Sequence, residues 1–176
     1  MHVRRPARLI SGGQSGVDRA ALDFAIAQAI PYGGWCPLGG WAEDRSDPPG
    51  LLADYRFLRE TPSADPAERT RWNVRDSDAT LILAPPTRAG SPGTAEAAAV
   101  AVELGRPLLR LEVEWPHASE AGEEGAMLGL PQARAEYERL AATLPQNYVL
   151  NVAGPRQSEA PGAYSGAMRA LELLLG

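Results

Sequence analysis

Three short segments carry residue types at spacings suited to holding an anion. In Ser11-Gly-Gly-Gln-Ser-Gly-Val-Asp18, Gly12, Gly13 and Gly16 surround Gln14 and Ser15. Glycine lets backbone approach a ligand closely, and the first N–H groups of a following helix have no partners of their own. The string is not a Walker A loop, because no Gly-Lys-Ser/Thr follows, and its glycines do not fit the G-x-G-x-x-G dinucleotide spacing. A helix cap is the other reading: Ser15 as N-cap with Asp18 three residues on is a weak capping box. The second segment, Gly90-Ser-Pro-Gly-Thr-Ala-Glu96, has the same design. Ser91 can cap a helix with Pro92 at its first position, while Gly93, the Thr94 hydroxyl and Glu96 line the turn. The third, Asn151-Val-Ala-Gly-Pro-Arg-Gln-Ser158, offers Gly154 for close approach and Arg156 and Ser158 as donors. Asn151 serves the ligand or the turn equally well. Between the second and the first, Arg69 and Asn73 lie four apart in a helical pattern and share one stripe, as does a solvated amphipathic helix.

Other chemistry finds little support. His2 and His117 sit in a terminus and an acidic stretch, Cys36 lacks a histidine partner, and Asp76 and Asp78 have no histidine or cysteine nearby. No catalytic residue and no metal ligand is therefore expected. Trp35 and Trp41 bracket a Gly-rich loop and are expected to pack rather than stack on a ring. The chain has a net charge of −5, and all 17 of its basic residues are arginine. An acidic body with a few arginines suits a small anionic ligand better than a nucleic-acid backbone. Schiff-base and P-loop lysine chemistry are excluded. No apolar run approaches the ~20 residues that cross a bilayer, and Met1–Arg8 has no apolar core of a secretory signal. With one cysteine and no such signals, a cytoplasmic protein without membrane contact is expected.

The elements that must position these segments alternate. Apolar runs at Ala7–Ser11, Ile30–Trp35, Ala79–Ala84, Pro107–Val113 and Tyr148–Val152 predict five strands. Helical patterns follow at Val17–Gln28, from Asp65 to about Asp76, Thr94–Leu104, Gln132–Leu144 and Gly162–Leu175. Asp65 as N-cap, Pro66 at the first position and Glu68 three residues after the cap mark one clean helix start. Leu51–Leu58 is ambiguous, and Trp115–Gly129 reads as an exposed connection. At 176 residues, 44% hydrophobic and 22% charged, the expectation is one α/β domain: a Rossmann-like, doubly wound, mostly parallel five-stranded sheet with helices on both faces. In such sheets ligands sit beyond the carboxyl ends of the strands, so the three turns are expected on one edge.

The strings GGQSGVDRAALDFAI, GGWCP, AED, RTRWNVRDSDATLIL, SPGTAEAA and LNVAGPRQS, in that order, resemble the molybdenum carrier, or molybdenum cofactor carrier, family. This is a circularly permuted branch of the SLOG superfamily, and the resemblance runs from about Leu9 to Leu174. It implies a Rossmann-like fold, a homo-oligomer (dimer or tetramer), molybdenum cofactor (molybdopterin) as bound ligand and molybdoenzymes as recipients. The wider superfamily includes phosphoribohydrolases, with an Arg-bearing helix, a strand and a PGGxGTxEE loop. Glu68-Arg69 and Gly93-Thr94-Ala95-Glu96-Ala97 follow that order, but Ala97 stands where the second glutamate is expected. That resemblance implies the alternatives, a nucleotide-processing enzyme or a nucleotide sensor using the same cleft.

Overall fold

A computed structural model describes residues 3–85, 91–113 and 130–176. Six strands form one all-parallel sheet: β1 (Arg8–Ile10), β2 (Tyr32–Cys36), β3 (Leu58–Glu60), β4 (Ala79–Ala84), β5 (Leu108–Glu112) and β6 (Val149–Ala153). Their order is β3-β2-β1-β6-β4-β5. The chain therefore winds outward one way from β1 and the other way through β4 and β5, and its last strand closes the gap between the two halves. The helices are α1 (Val17–Ala27), α2 (Pro66–Arg75), α3 (Pro92–Glu103), α4 (Leu130–Thr143) and α5 (Ala163–Leu175).

The Rossmann-like α/β architecture is as expected, with six strands rather than five. The added strand, β3, is three residues long and has one buried side chain, Leu58, so no periodicity announces it. It pairs in parallel with β2, with Leu58 opposite Gly34 and Glu60 opposite Cys36. The ambiguous stretch before it forms a 3₁₀ turn at Gly50–Ala53. Leu51, Tyr55 and Leu58 pack there with Leu22 and Cys36 in a small satellite core. The expected Trp115–Gly129 connection and Pro86–Gly90 of the second turn lie outside the described residues.

Each element follows from local chemistry. All six β4 residues are buried, as expected for a strand covered on both faces. Leu81 and Leu83 face the main core with α1, α4 and α5, whose small residues Ala20, Ala21, Ala163, Ala167 and Ala170 let helices approach closely. On the opposite face α2 and α3 bury Val74, Ala97, Val100 and Ala101. Asp65 caps α2 through an Ala67 N–H bond of 2.9 Å, with Pro66 at the first position, as the sequence implies. Ser91 caps α3 in the same manner, accepting from the Thr94 N–H at 3.4 Å. Among the described residues no helix is long and apolar enough to cross a membrane.

The first helix starts differently from the capping-box reading. Its N-cap is Gly16, at φ 78° and ψ −130°, with no side-chain cap. Ser15 cannot serve because the Pro155 carbonyl takes the Val17 N–H at 3.2 Å, and that close approach requires glycine at position 16.

Candidate functional site

The carboxyl ends of β1 and β6 and the start of α3 meet in a narrow cleft roofed by α2. Gly12, Gln14, Arg69, Asn73, Ser91, Gly93, Asn151, Gly154 and Arg156, all expected from the sequence, line it. It encloses about 30 Å³, on the scale of one small oxyanion group. Asp18, Ala97 and Glu159 complete part of its wall and were not among the expected ligand residues.

The centre of the cleft is an ion pair. Asp18, in the first turn of α1, accepts from Arg69 Nη1 at 2.8 Å, and both side chains are nearly buried. The Arg69 guanidinium lies directly over the Cα of Gly12, which leaves no room for a Cβ there. Burial pushes the Asp18 carboxyl above the usual range, against the pull of Arg69 and of the Gln14 and Gly154 backbone amides. Arg69 Nε is buried and has no hydrogen-bond partner among the described residues; neither has Thr94 Oγ1, nor Ser11 Oγ at the end of β1. An unpaired buried donor is costly, so Arg69 Nε in the cleft wall, with Thr94 Oγ1 in the same helical turn as the lining residues Ser91 and Gly93, marks a place where an acceptor belongs.

Two further donors belong to residues that line the same cleft. Gln14 Oε1 accepts from the Ser15 N–H at 3.0 Å and the Glu43 N–H at 2.9 Å. That fixes the amide so that Nε2 is its remaining group. In the first turn of α3, Pro92 has no N–H, Thr94 gives its own to Ser91 Oγ and Ala95 gives its own to Ser91 O. The Gly93 N–H alone in that turn has no partner among the described residues. Among the described residues it is also a glycine without internal necessity, since a Cβ there would meet none of their atoms nearer than Ser91 Oγ at 4.0 Å.

Asn73, on the same stripe of α2 as Arg69, does a different job. Its Oδ1 accepts from the Trp35 N–H at 2.8 Å and its Nδ2 donates to Trp35 O at 2.9 Å, so one side chain continues the pairing of β2 past the end of β1. Asn73→Ala is expected to cost about 2 kcal/mol, because both Trp35 backbone groups lose their partner; a denaturant midpoint measurement checks this. Trp35 itself packs edge-to-face on Trp72 with ring centroids 4.6 Å apart, as the packing expectation has it. Asn151 donates to Thr80 Oγ1 at 3.2 Å from the neighbouring strand.

Seven expected residues do not line the cleft. Thr94 is buried in the first turn of α3, beside the lining residues Ser91 and Gly93. Glu96 is exposed on α3, one position before the cleft-facing Ala97. Gly13 faces the satellite core formed by Leu22, Leu51 and Leu58. Ser15, Gly16, Arg19 and Ser158 line a separate open groove of about 760 Å³ on the other side of the glycine turn. Arg19 is held there by Asp44 at 2.9 and 3.0 Å and by Gly13 O at 3.1 Å. Glu43 takes up Ser15 Oγ, Ser158 Oγ and the Ser158 N–H, and sits 3.9 Å from Arg156. Partial burial opposes its charge, but these donors outweigh it and hold the carboxyl below the usual range. Glu43 and Asp44 belong to the Ala42-Glu43-Asp44 string, so only that motif signalled them. Cys36 is buried, and burial pushes its thiol up to about 11, which leaves no thiolate for chemistry.

Residues 9–175 match the model of the circularly permutated YpsA SLOG family. The chain is similar to the 1.45 Å crystal structure of the “putative molybdenum carrier protein” from Syntrophus aciditrophicus SB. The two share 34% identity over 99% of this chain and 98% of that one, with a TM-score of 0.80. No curated protein matches the chain.

Proposed function

The chain belongs to the circularly permutated YpsA SLOG family, and from that premise we propose that it is a binding or carrier protein for a small ligand bearing an oxyanion group. The observation that carries the reading is the buried, unpartnered Nε of the cleft-lining Arg69, with Thr94 Oγ1, likewise unpartnered among the described residues, in the α3 turn whose Ser91 and Gly93 line the cleft. These two and the Gly93 N–H are hydrogen-bond donors to negative oxygen; one comes from α2 and two from the first turn of α3, which follows β4 beside the topological switch point.

The ligand we propose is molybdenum cofactor, in keeping with the name of the similar protein. The donor set fits the cofactor's phosphate, or molybdate itself, through oxygen. It does not fit direct ligation of the metal: the lining contains no thiol or imidazole, and no group suited to a metal ion occurs among the described residues. The pterin body is larger than the cleft and belongs outside it, toward the mouth. Ala97 favours holding over cutting, since a methyl group occupies the wall where a hydrolytic carboxylate would stand.

Titration with molybdate and with inorganic phosphate, followed by calorimetry, is expected to give saturable binding. Thr94→Val is expected to weaken it about tenfold, the worth of one hydrogen bond to a charged group, without lowering the melting temperature. The second half of that expectation follows because an unpaired buried hydroxyl adds nothing to the empty fold. Absence of saturation with either oxyanion at tens of millimolar would overturn the reading.

A further inference from the structure

The described side chains that line the cleft include two acids and two bases: Asp18, Glu159, Arg69 and Arg156. A site for an anion thus carries no surplus positive charge of its own, and the question is which cation an incoming anion can recruit. Arg69 is committed to Asp18 at 2.8 Å. Arg156 is held far more loosely. Its Nε lies 3.4 Å from Glu159 Oε1 and its Nη1 lies 3.9 Å from Glu43 Oε2, both beyond a good hydrogen bond, and its side chain remains 30% exposed. Glu159 in turn is anchored by the chain itself, since its Oε2 accepts the Arg156 backbone N–H at 3.1 Å.

We propose that Arg156 is a movable clamp for the bound oxyanion and that Glu159 is its built-in competitor, a positioning residue that parks the guanidinium at the mouth until an anion displaces it. This rests on the binding reading above. A dianionic tetrahedral group offers Arg156 two oxygens at short range, against one long contact to each carboxylate now. The exchange needs only a side-chain rotation in a partly solvated position. The same competition keeps an arginine-lined mouth from attracting anions indiscriminately, and explains why an acid and a base flank the entrance together.

The test is a double-mutant cycle with inorganic phosphate as the probe. Glu159→Gln keeps an oxygen for the Arg156 N–H while removing the charge, and its melting temperature is expected to stay near that of the wild type. It should bind phosphate about five- to tenfold more tightly, within the range of coupling between neighbouring groups. In an Arg156→Gln background, followed to tens of millimolar phosphate, adding Glu159→Gln should bring no comparable gain. A gain of equal size with and without Arg156 would show plain charge repulsion and overturn the clamp, and so would no gain in the single variant. Wild-type protein that binds neither phosphate nor molybdate instead overturns the binding reading on which the clamp depends.

Discussion

Arg69→Ala is expected to destabilise the fold by about 3–5 kcal/mol and to remove measurable oxyanion binding, because it strands the charge of Asp18 inside the protein. The Asp18 side chain is 6% exposed and that of Arg69 11%, so water cannot take over the lost partner. The loss should depend on pH in a definite sense. Burial already lifts the Asp18 carboxyl above its ordinary value while Arg69 pulls it down; deleting Arg69 lifts it further. A carboxyl raised in the folded state binds its proton more readily there than in the unfolded chain. Its destabilising effect is therefore absent below the ordinary aspartate value near 4 and grows as pH rises from there through the folded-state value. Denaturant midpoints of the variant should approach those of the wild type as pH falls toward 4 and diverge toward pH 8. Asp18→Asn added to Arg69→Ala should recover part of the stability and flatten the pH dependence, since a neutral amide oxygen can still accept from the Gln14 and Gly154 amides. It should not restore binding, which needs the guanidinium itself. A pH-independent loss in Arg69→Ala would mean that the pair is not the source.

Much of this site could be read from residue types alone, and the division has a physical cause. The caps at Asp65 and Ser91 are local, set by residues two or three apart, and the structure has both. The long apolar strand β4 could be read because burial on both faces leaves an unbroken apolar run. The glycine turns were legible as tight backbone, but not by purpose. Gly12 makes room for a guanidinium that arrives from 57 positions along the chain, and Gly13 turns toward the satellite core. Ser15 and Arg19 look like ligand donors in sequence, yet Glu43 and Asp44 claim them from a loop whose fold no periodicity encodes. Glu159 escaped for the same reason, since its relation to Arg156 is only three residues long but its place in the cleft depends on β6 lying between β1 and β4.

Gly16→Ala and Gly93→Ala should separate folding from binding, with opposite signs. At Gly16 the backbone sits at φ 78°, and a Cβ would lie 2.5 Å from Pro155 O and 2.8 Å from Arg156 C. Neither contact can yield without moving the third turn away from α1, so a loss of about 3 kcal/mol is expected from strain and overlap together. At Gly93 nothing among the described residues resists a methyl group, and alanine is the better helix former. Gly93→Ala should therefore raise stability by about 0.5 kcal/mol, less than the full helix-interior difference because position 93 lies in the first turn. A glycine where the described residues leave room for a side chain fits a ligand that comes within contact of its Cα and takes its N–H. The same methyl group should accordingly weaken molybdate and phosphate binding about tenfold or more, through lost approach to that N–H. Thermal melts and titrations on the two variants decide the matter together. Gly93→Ala that is more stable and still binds with wild-type affinity would move the oxyanion away from the start of α3 and leave the glycine unexplained. Weakened binding with intact stability would place the ligand at this turn, which the effect of Gly16→Ala cannot do, because there the fold fails first.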